Sequence, residues 1–261
     1  AMEWLVEQGL PAYNAPDLAV KSIINLRKQQ QISEINNNGS YDPGKIDSEK
    51  ARAIIAATRK AGRDALTEIE AKQVFKCYGL PVTATDLATS EEEAVELAEK
   101  IGFPIVMKIV SADILHKSDA GGVKVNIKNT EQVREAYRTI LENARNYKPD
   151  ALIEGVAVQE MAPWATEVII GSINDKTFGP TVMFGLGGIF VEVLKDVVFR
   201  VAPISVEEAM RMQNEIRSAA ILDGTRGELP RDKAALAKAL AAYAYMVDDL
   251  KDEVAESDAN P

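Results

Sequence analysis

The chain has 261 residues, 46% of them apolar and 27% charged, which is material for one large or two modest globular domains. Its 40 acidic and 30 basic side chains leave a net charge of −10, which argues against nucleic acid as a partner, since that needs clustered Lys and Arg. A single cysteine, Cys77, excludes an internal disulfide and a multi-cysteine metal site and fits a reducing cytoplasm; there is neither a signal-peptide layout nor an apolar run near the ~18 residues of a membrane span.

Pro16 suits the first turn of a helix, and Val20, Ile23, Ile24 and Arg27 give that helix one narrow apolar face. Residues 32–46, polar and rich in Asn and Gly, read as a linker. Ala51, Ile54, Ile55 and Thr58 mark a helix that ends before Gly62. Thr67-x-x-Glu70 is a capping box ahead of Val74, Phe75 and Tyr78, with Gly79 as the stop. A short strand is expected from Leu80 to Thr85, then a helix opened by Ser90-x-x-Glu93 and closed by Gly102. Ile105–Val110 reads as a strand, apolar on both faces apart from Lys108. A polar loop, His116-Lys117-Ser118-Asp119, leads to Gly121-Gly122 and a strand in which Val123, Val125 and Ile127 alternate with Lys124, Asn126 and Lys128. A helix follows from Thr130. The second half is richer in strand: 157–161, 166–173, 180–184 and 189–201, with a hairpin-like turn at Asn174-Asp175-Lys176. Ser205-x-x-Glu208 caps a helix through Ile216, and a long helix runs from about Arg231 to Leu250. Mixed helix and strand in this order gives an α/β or intermingled α+β class.

Four features carry chemistry. An unpaired ammonium is costly to bury, so Lys108 is either an edge-strand lysine reaching water or a fixed positive charge for a polyphosphate, with the Gly121-Gly122 amides turned toward the same anion. His116 is the only histidine; its polar loop between two strands makes it a candidate nucleophile toward phosphorus, with Asp119 available to orient the ring. The turn Gly185-Leu186-Gly187-Gly188 lies between apolar strands, and Glu192 just beyond it sits in an apolar stretch where a carboxylate pairs with or binds a cation; Asp196 and Arg200 are placed to pair with each other. Asp258-x-Asn260-Pro261 puts two oxygen-bearing side chains on one side of an extended segment, either as ligands for Mg²⁺ or as a frayed polar tail.

Taken together, FPIVMKIVSADILHKSDAGGVKVNI, then VQEMAPWATEVIIGSINDKTFGPTVMFGLGGIFVEVLKDVVFRVAPI, then ESDANP closely resemble the ATP-grasp part of ADP-forming acyl-CoA synthetases, relatives of succinyl-CoA synthetase, over about residues 47–261. The resemblance implies an ATP-grasp fold of two subdomains: an N-terminal helix and small subdomain over 47–155, and a larger one over 156–261, truncated at its C-terminus. Residues 1–31 resemble the last piece of a preceding CoA-ligase domain. The implied activity is interconversion of acyl-CoA, ADP and phosphate with acid, CoA and ATP through phosphohistidine, with the CoA-ligase and CoA-binding domains of the same enzyme as partners. The implied cofactors are ATP or ADP and Mg²⁺. By the same resemblance, His116 carries phosphate, Lys108 holds the α- and β-phosphates, and Gly121 and Gly122 form a phosphate loop. Gln159, Glu160 and Met161 form the hinge against adenine and ribose, with the Gly185, Gly187 and Gly188 turn and Glu192 near the phosphates. Asp258 faces the histidine loop and Asn260 binds Mg²⁺. Family members continue past the Asn-Pro with a strand supplying a further aspartate ligand to the metal. Two rival expectations are a fragment that binds ATP or ADP without catalysis, and a ligand-sensing domain of a protein acyltransferase.

Overall fold

Short polar residues start the helices. In the computed structural model, which describes residues 2–36, 41–114, 116–188, 191, 193–225 and 227–260, the chain divides into two compact units between Tyr41 and Asp42. The first contains α1 (Met2–Glu7) and α2 (Pro16–Asn36). Pro16 opens α2, where its fixed φ suits a first turn, and Val20, Ile23 and Ile24 on that helix are exposed. The helix runs into the stretch read as linker; residues 37–40 lie outside the described residues.

In the second unit, α3 (Ser48–Lys60) is capped by the Asp47 carboxylate, α4 (Glu68–Cys77) by the Thr67–Glu70 capping box, and α5 (Glu91–Ile101) by Ser90. Asn129 caps α6 (Thr130–Tyr147), Ser205 caps α7 (Val206–Glu215) and Asp232 caps α8 (Lys233–Asp249). Each cap oxygen accepts a backbone N–H that the helix itself leaves without a partner.

The strands form two four-stranded sheets with antiparallel pairing throughout. The first contains β1 (Thr85–Ala88), β2 (Ile105–Val110), β3 (Val123–Ile127) and β4 (Gly155–Glu160) in the order β1-β4-β2-β3. Ile105, Met107 and Ile109 point from β2 into a core shared with Val156 and Val158 of β4 and with α5 and α6. Period-two alternation therefore puts Val106 and Lys108 on the opposite face. The expected strand over Leu80–Thr85 begins only at Thr85: residues 81–84 are outside the ladder, and Pro81 has no N–H to give one.

Val125 breaks the alternation expected of β3, being 62% exposed. Ile105 pairs with Ile127 but Met107 pairs with Lys124, so β3 holds one residue more than β2 over that interval, and Asn126 takes φ +59°. This is a β-bulge, and it reverses which face the next side chain meets.

The second sheet contains β5 (Val168–Asp175), β6 (Gly179–Leu186), β7 (Val197–Val201) and β8 (Glu256–Ala259) in the order β7-β6-β5-β8. Ile170, Val182 and Phe184 are buried on it, as are Leu240, Tyr243 and Met246 of α8. The turn joining β5 to β6 falls on Lys176–Phe178, where the Asp175 carboxylate accepts from the Thr177 and Phe178 amides. The long strand expected over 189–201 is only its last five residues: Val193 and Leu194 sit in an exposed turn, and Lys195 at φ +49° reverses the chain before the ladder starts at Val197. The terminal segment read as ligand or frayed tail is β8, paired to β5 from Glu256 to Ala259.

Candidate functional site

Lys108 belongs to an interior strand, which removes the edge-strand reading of its charge. Its ammonium leaves the sheet on the face away from α5 and α6 and donates to Glu68 Oε1 at 2.9 Å. Glu68 is the first residue of α4. Lys72, one turn along the same helix, donates to the same oxygen at 3.1 Å, and Lys117 donates to Glu68 Oε2 at 2.9 Å. One half-buried carboxylate thus collects three ammoniums from α4, β2 and the histidine loop.

The electrostatics follow from that stoichiometry. Burial alone would raise the Glu68 pKa, but the bonds from Lys117 and Lys108 outweigh it and hold the carboxyl at about 2, against an ordinary 4.5. Burial lowers the Lys72 pKa, and Glu68 offsets part of that. Lys72 also donates to Thr83 Oγ1, Thr85 Oγ1 and the Gln159 side-chain carbonyl at 3.1, 3.0 and 2.8 Å. Its donors are spent on the protein. Lys108 and Lys117 each make a side-chain bond to Glu68 among the described residues, and an ammonium has three N–H donors. Two cations with donors to spare, in excess over one anion, are an arrangement to which phosphate oxygens are chemically suited.

His116 is exposed at the start of the loop, one residue before the Lys117 whose ammonium shares the Glu68 carboxylate with Lys108. Among the described residues no hydrogen bond joins Asp119 to the ring. The glycines after the loop differ from expectation. The Gly121 amide donates to Ser118 O at 3.0 Å and the Gly122 amide to Lys117 O at 2.8 Å, so both close the loop on itself instead of facing an anion. A Cβ on Gly122 would lie 2.5 Å from Ile109 Cγ2, and Gly121 has φ +61°. These glycines are required by packing and backbone geometry.

Gln159 and Glu160 end β4 beside this cluster. The Gln159 carbonyl accepts from Lys72, and Glu160 pairs with Ala84 through both its backbone N–H and its carboxylate, at 2.8 and 3.3 Å. Met161 continues the segment, its amide donating to Pro104 O.

The other nominated residues lie on the second sheet. Gly185 admits a close approach of β7, since a Cβ there would sit 2.8 Å from Asp196 O, and a Cβ at Gly187 would sit 3.0 Å from Glu167 Cβ. Gly188 turns the chain at φ +59°. Glu192 lies outside the described residues. Asp196 and Arg200 do not pair: the Asp196 carboxylate accepts from the Arg217 and Ser218 amides and the Ser218 hydroxyl, while Arg200 bridges Glu208 and Glu215.

Asp258 and Asn260 stand on one side of β8 and its continuation, with Asn260 Nδ2 donating to Asp258 Oδ2 at 2.7 Å. Among the described residues there is no group of three or more His, Cys, Asp or Glu able to hold a metal ion. Two exposed oxygen ligands fit an Mg²⁺ that takes the rest of its shell from phosphate and water, and do not fit a resident metal. β8 is anchored from behind, where the Tyr243 hydroxyl meets Ser257 Oγ at 2.5 Å and Ser172 Oγ at 3.2 Å. A cleft of about 1260 Å³ lies between residues 55–75 and this sheet; Asp258 lines it, whereas Lys108, His116 and the glycine turns do not. No hydrogen bond or ion pair among the described residues joins Asp258 or Asn260 to the lysine cluster.

Residues 57–261 match the ATP-grasp domain family. The chain belongs to the ATP-grasp family. Within it, the chain is 55% identical over 212 residues to the β subunit of an ADP-forming acetate–CoA ligase I of Pyrococcus furiosus, covering 81% of this chain and 90% of that one. It is 41% identical over 259 residues to an ADP-forming 4-hydroxybutyrate–CoA ligase of Nitrosopumilus maritimus, covering 99% of this chain and 37% of that one. A solved structure with TM-score 0.72 and 45% identity, covering 81% of this chain and 91% of that one, is a dinucleotide-forming acetyl-coenzyme A synthetase of Ca. Korarchaeum cryptofilum. It holds coenzyme A and Mg-AMPPCP, with a phosphohistidine segment pointing towards the nucleotide-binding site. The ATP-grasp match includes α4, both sheets and every nominated site residue.

Three participants escaped the sequence reading of this ATP-grasp chain: Glu68, Lys72 and, as a site residue, Lys117. Glu68 and Lys72 are four apart on one helix, a spacing that reads as an ordinary surface pair. Lys117, next to the only histidine, was the one signal available.

Proposed function

We propose that this chain is the nucleotide-binding, phosphoryl-transfer half of an ADP-forming acyl-CoA synthetase, interconverting acyl-CoA, ADP and phosphate with acid, CoA and ATP through phosphohistidine. The observation that carries the reading is the shared carboxylate: Lys108 on the sheet and Lys117 beside His116 both reach Glu68 at 2.9 Å. Phosphoryl transfer asks the protein for in-line positioning and charge neutralisation more than for covalent chemistry. Lys108 and Lys117 neutralise phosphate oxygens, and His116 accepts the terminal phosphoryl group on a ring nitrogen as ADP leaves. Gln159–Met161 hold the nucleoside at the end of β4, and Asp258 and Asn260 take Mg²⁺, which when bound draws charge from the phosphates. The relatives support the reading, since two are ADP-forming CoA ligases or their β subunits. CoA-binding and CoA-ligase domains are the partners that complete the acyl half, and the cytoplasm is the expected location; among the described residues no helix is long and apolar enough to cross a membrane.

Incubating the assembled enzyme with γ-labelled ATP yields an acid-labile phosphoprotein, and His116→Ala lowers the label by at least tenfold. An unchanged label in that variant removes His116 from the pathway.

A further inference from the structure

A carboxylate among phosphate-binding lysines is out of place, because it competes for the same donors. The geometry around Glu68 gives it a different task. Its two oxygens are divided by element: Oε1 takes Lys72 of α4 and Lys108 of β2, and Oε2 takes Lys117 of the histidine loop. Lys72 is itself fixed to Thr83, Thr85 and Gln159, so α4 is pinned to the sheet on one side. Beyond α4, the Tyr78 hydroxyl donates to Asp249 of α8 at 2.5 Å, so the helix is held at its other end as well. Among the described residues, Lys117 is the only side chain of the 116–119 segment with a hydrogen bond to another element; the remaining bonds there close the loop on itself. The far end of the loop is tied directly to β2 and α6, where the Ile109 amide donates to Gly122 O at 2.8 Å and Asn143 Nδ2 to Gly121 O at 3.0 Å, so the Lys117–Glu68 bond is what ties its His116 end to Lys108.

We infer that Glu68 is the positioning residue of this site: it registers the His116 loop against Lys108, and a polyphosphate that bridges Lys108 and Lys117 substitutes for its carboxylate. This rests on the phosphoryl-transfer reading for its purpose but not for its test. Isosteric Gln at position 68 keeps the packing and removes the charge, leaving one oxygen acceptor in place of two and an amide group that repels an ammonium. Phosphate oxygens are equally good acceptors for two separated ammoniums, so they can restore the missing link.

The test is hydrogen exchange on this chain. In Glu68→Gln the amides of Ala120, Gly121 and Gly122 exchange at least tenfold faster, while those of β4 and β5 are unchanged, and inorganic tripolyphosphate restores loop protection. Unchanged loop protection overturns the inference, as does faster exchange that tripolyphosphate leaves unaltered. If Glu68→Gln loses protection throughout, Lys117→Met decides, because it cuts the same tie from the loop side: faster loop exchange alone supports the inference and unchanged exchange defeats it. None of these outcomes depends on labelling of His116, so a failure of the phosphohistidine reading is seen separately, in the label retained by His116→Ala.

Discussion

Gly122 shows how tightly single residues are specified here. Its missing side chain is what lets the loop after His116 lie on β2, since a Cβ would come within 2.5 Å of Ile109 Cγ2 and 3.1 Å of Lys117 O. Gly122→Ala forces Ile109 out of its buried position, and overpacking of this kind costs about 1–3 kcal/mol. The expected outcome is a fall of several degrees in Tm. Acid stability is also set by single side chains. Burial raises the Glu68 pKa, but Lys117 and Lys108 bring it down to about 2. Glu70 is brought to about 2 chiefly by its bond from Arg63, against burial. The unfolded chain returns both to about 4.5, so their stabilisation is complete above that pH and is lost as pH falls from about 4.5 toward 2. Urea melts between pH 7 and pH 3 should show a steep loss below 4.5 that is shallower in Glu68→Gln.

Among the elements, α4 depends most on its first turn. Thr67 Oγ1 accepts from the Glu70 amide at 3.3 Å, Glu70 Oε2 accepts from the Thr67 amide at 2.8 Å, and Arg63 clamps Glu70 from outside at 2.6 Å. Thr67→Ala should cost about 1 kcal/mol. Because this turn also presents Glu68, the same variant should loosen the 116–122 loop, read as faster amide exchange there. The caps at Thr67, Ser90 and Ser205 were legible in sequence, because a cap is a local contact between residues three apart. Lys108 was legible as an anomaly within an apolar strand. Glu68 was not: its partners Lys108 and Lys117 are 40 and 49 residues away, and no periodic pattern reports them. The bulge at Asn126 and the turn over 193–196 were missed for a related reason. In both, apolar residues continue a strand-like pattern while one residue with positive φ redirects the backbone.

At the scale of the larger unit, the two antiparallel sheets divide the nominated residues between them. Lys108 and Gln159 are bonded to α4, as is Lys117 next to His116, while the 185–188 turn, Asp258 and Asn260 belong to the sheet backed by α8. The buried Tyr243 hydroxyl, between Ser172 and Ser257, holds β8 to that sheet at its edge. Tyr243→Phe leaves those two serines to each other at 2.9 Å and removes the bond to Ser257 O. We expect a loss of about 1 kcal/mol and, in the assembled enzyme, a KM for Mg-ATP raised more than kcat is lowered, because Asp258 and Asn260 lie on the freed strand. An unchanged KM would mean that β8 keeps its place without the hydroxyl.

The ten residues of α4 have a consequence beyond their own stability. A helix of that length is a stiff rod about 15 Å long. At one end it grips the lysines through Glu68; at the other, Phe75 rests edge-on against the Tyr243 ring at 5.9 Å and Tyr78 is bonded to Asp249. It acts as a crossbar between the two halves of the larger unit. Its contacts therefore reach from the lysine cluster on one sheet to the helix that steadies the terminal strand of the other.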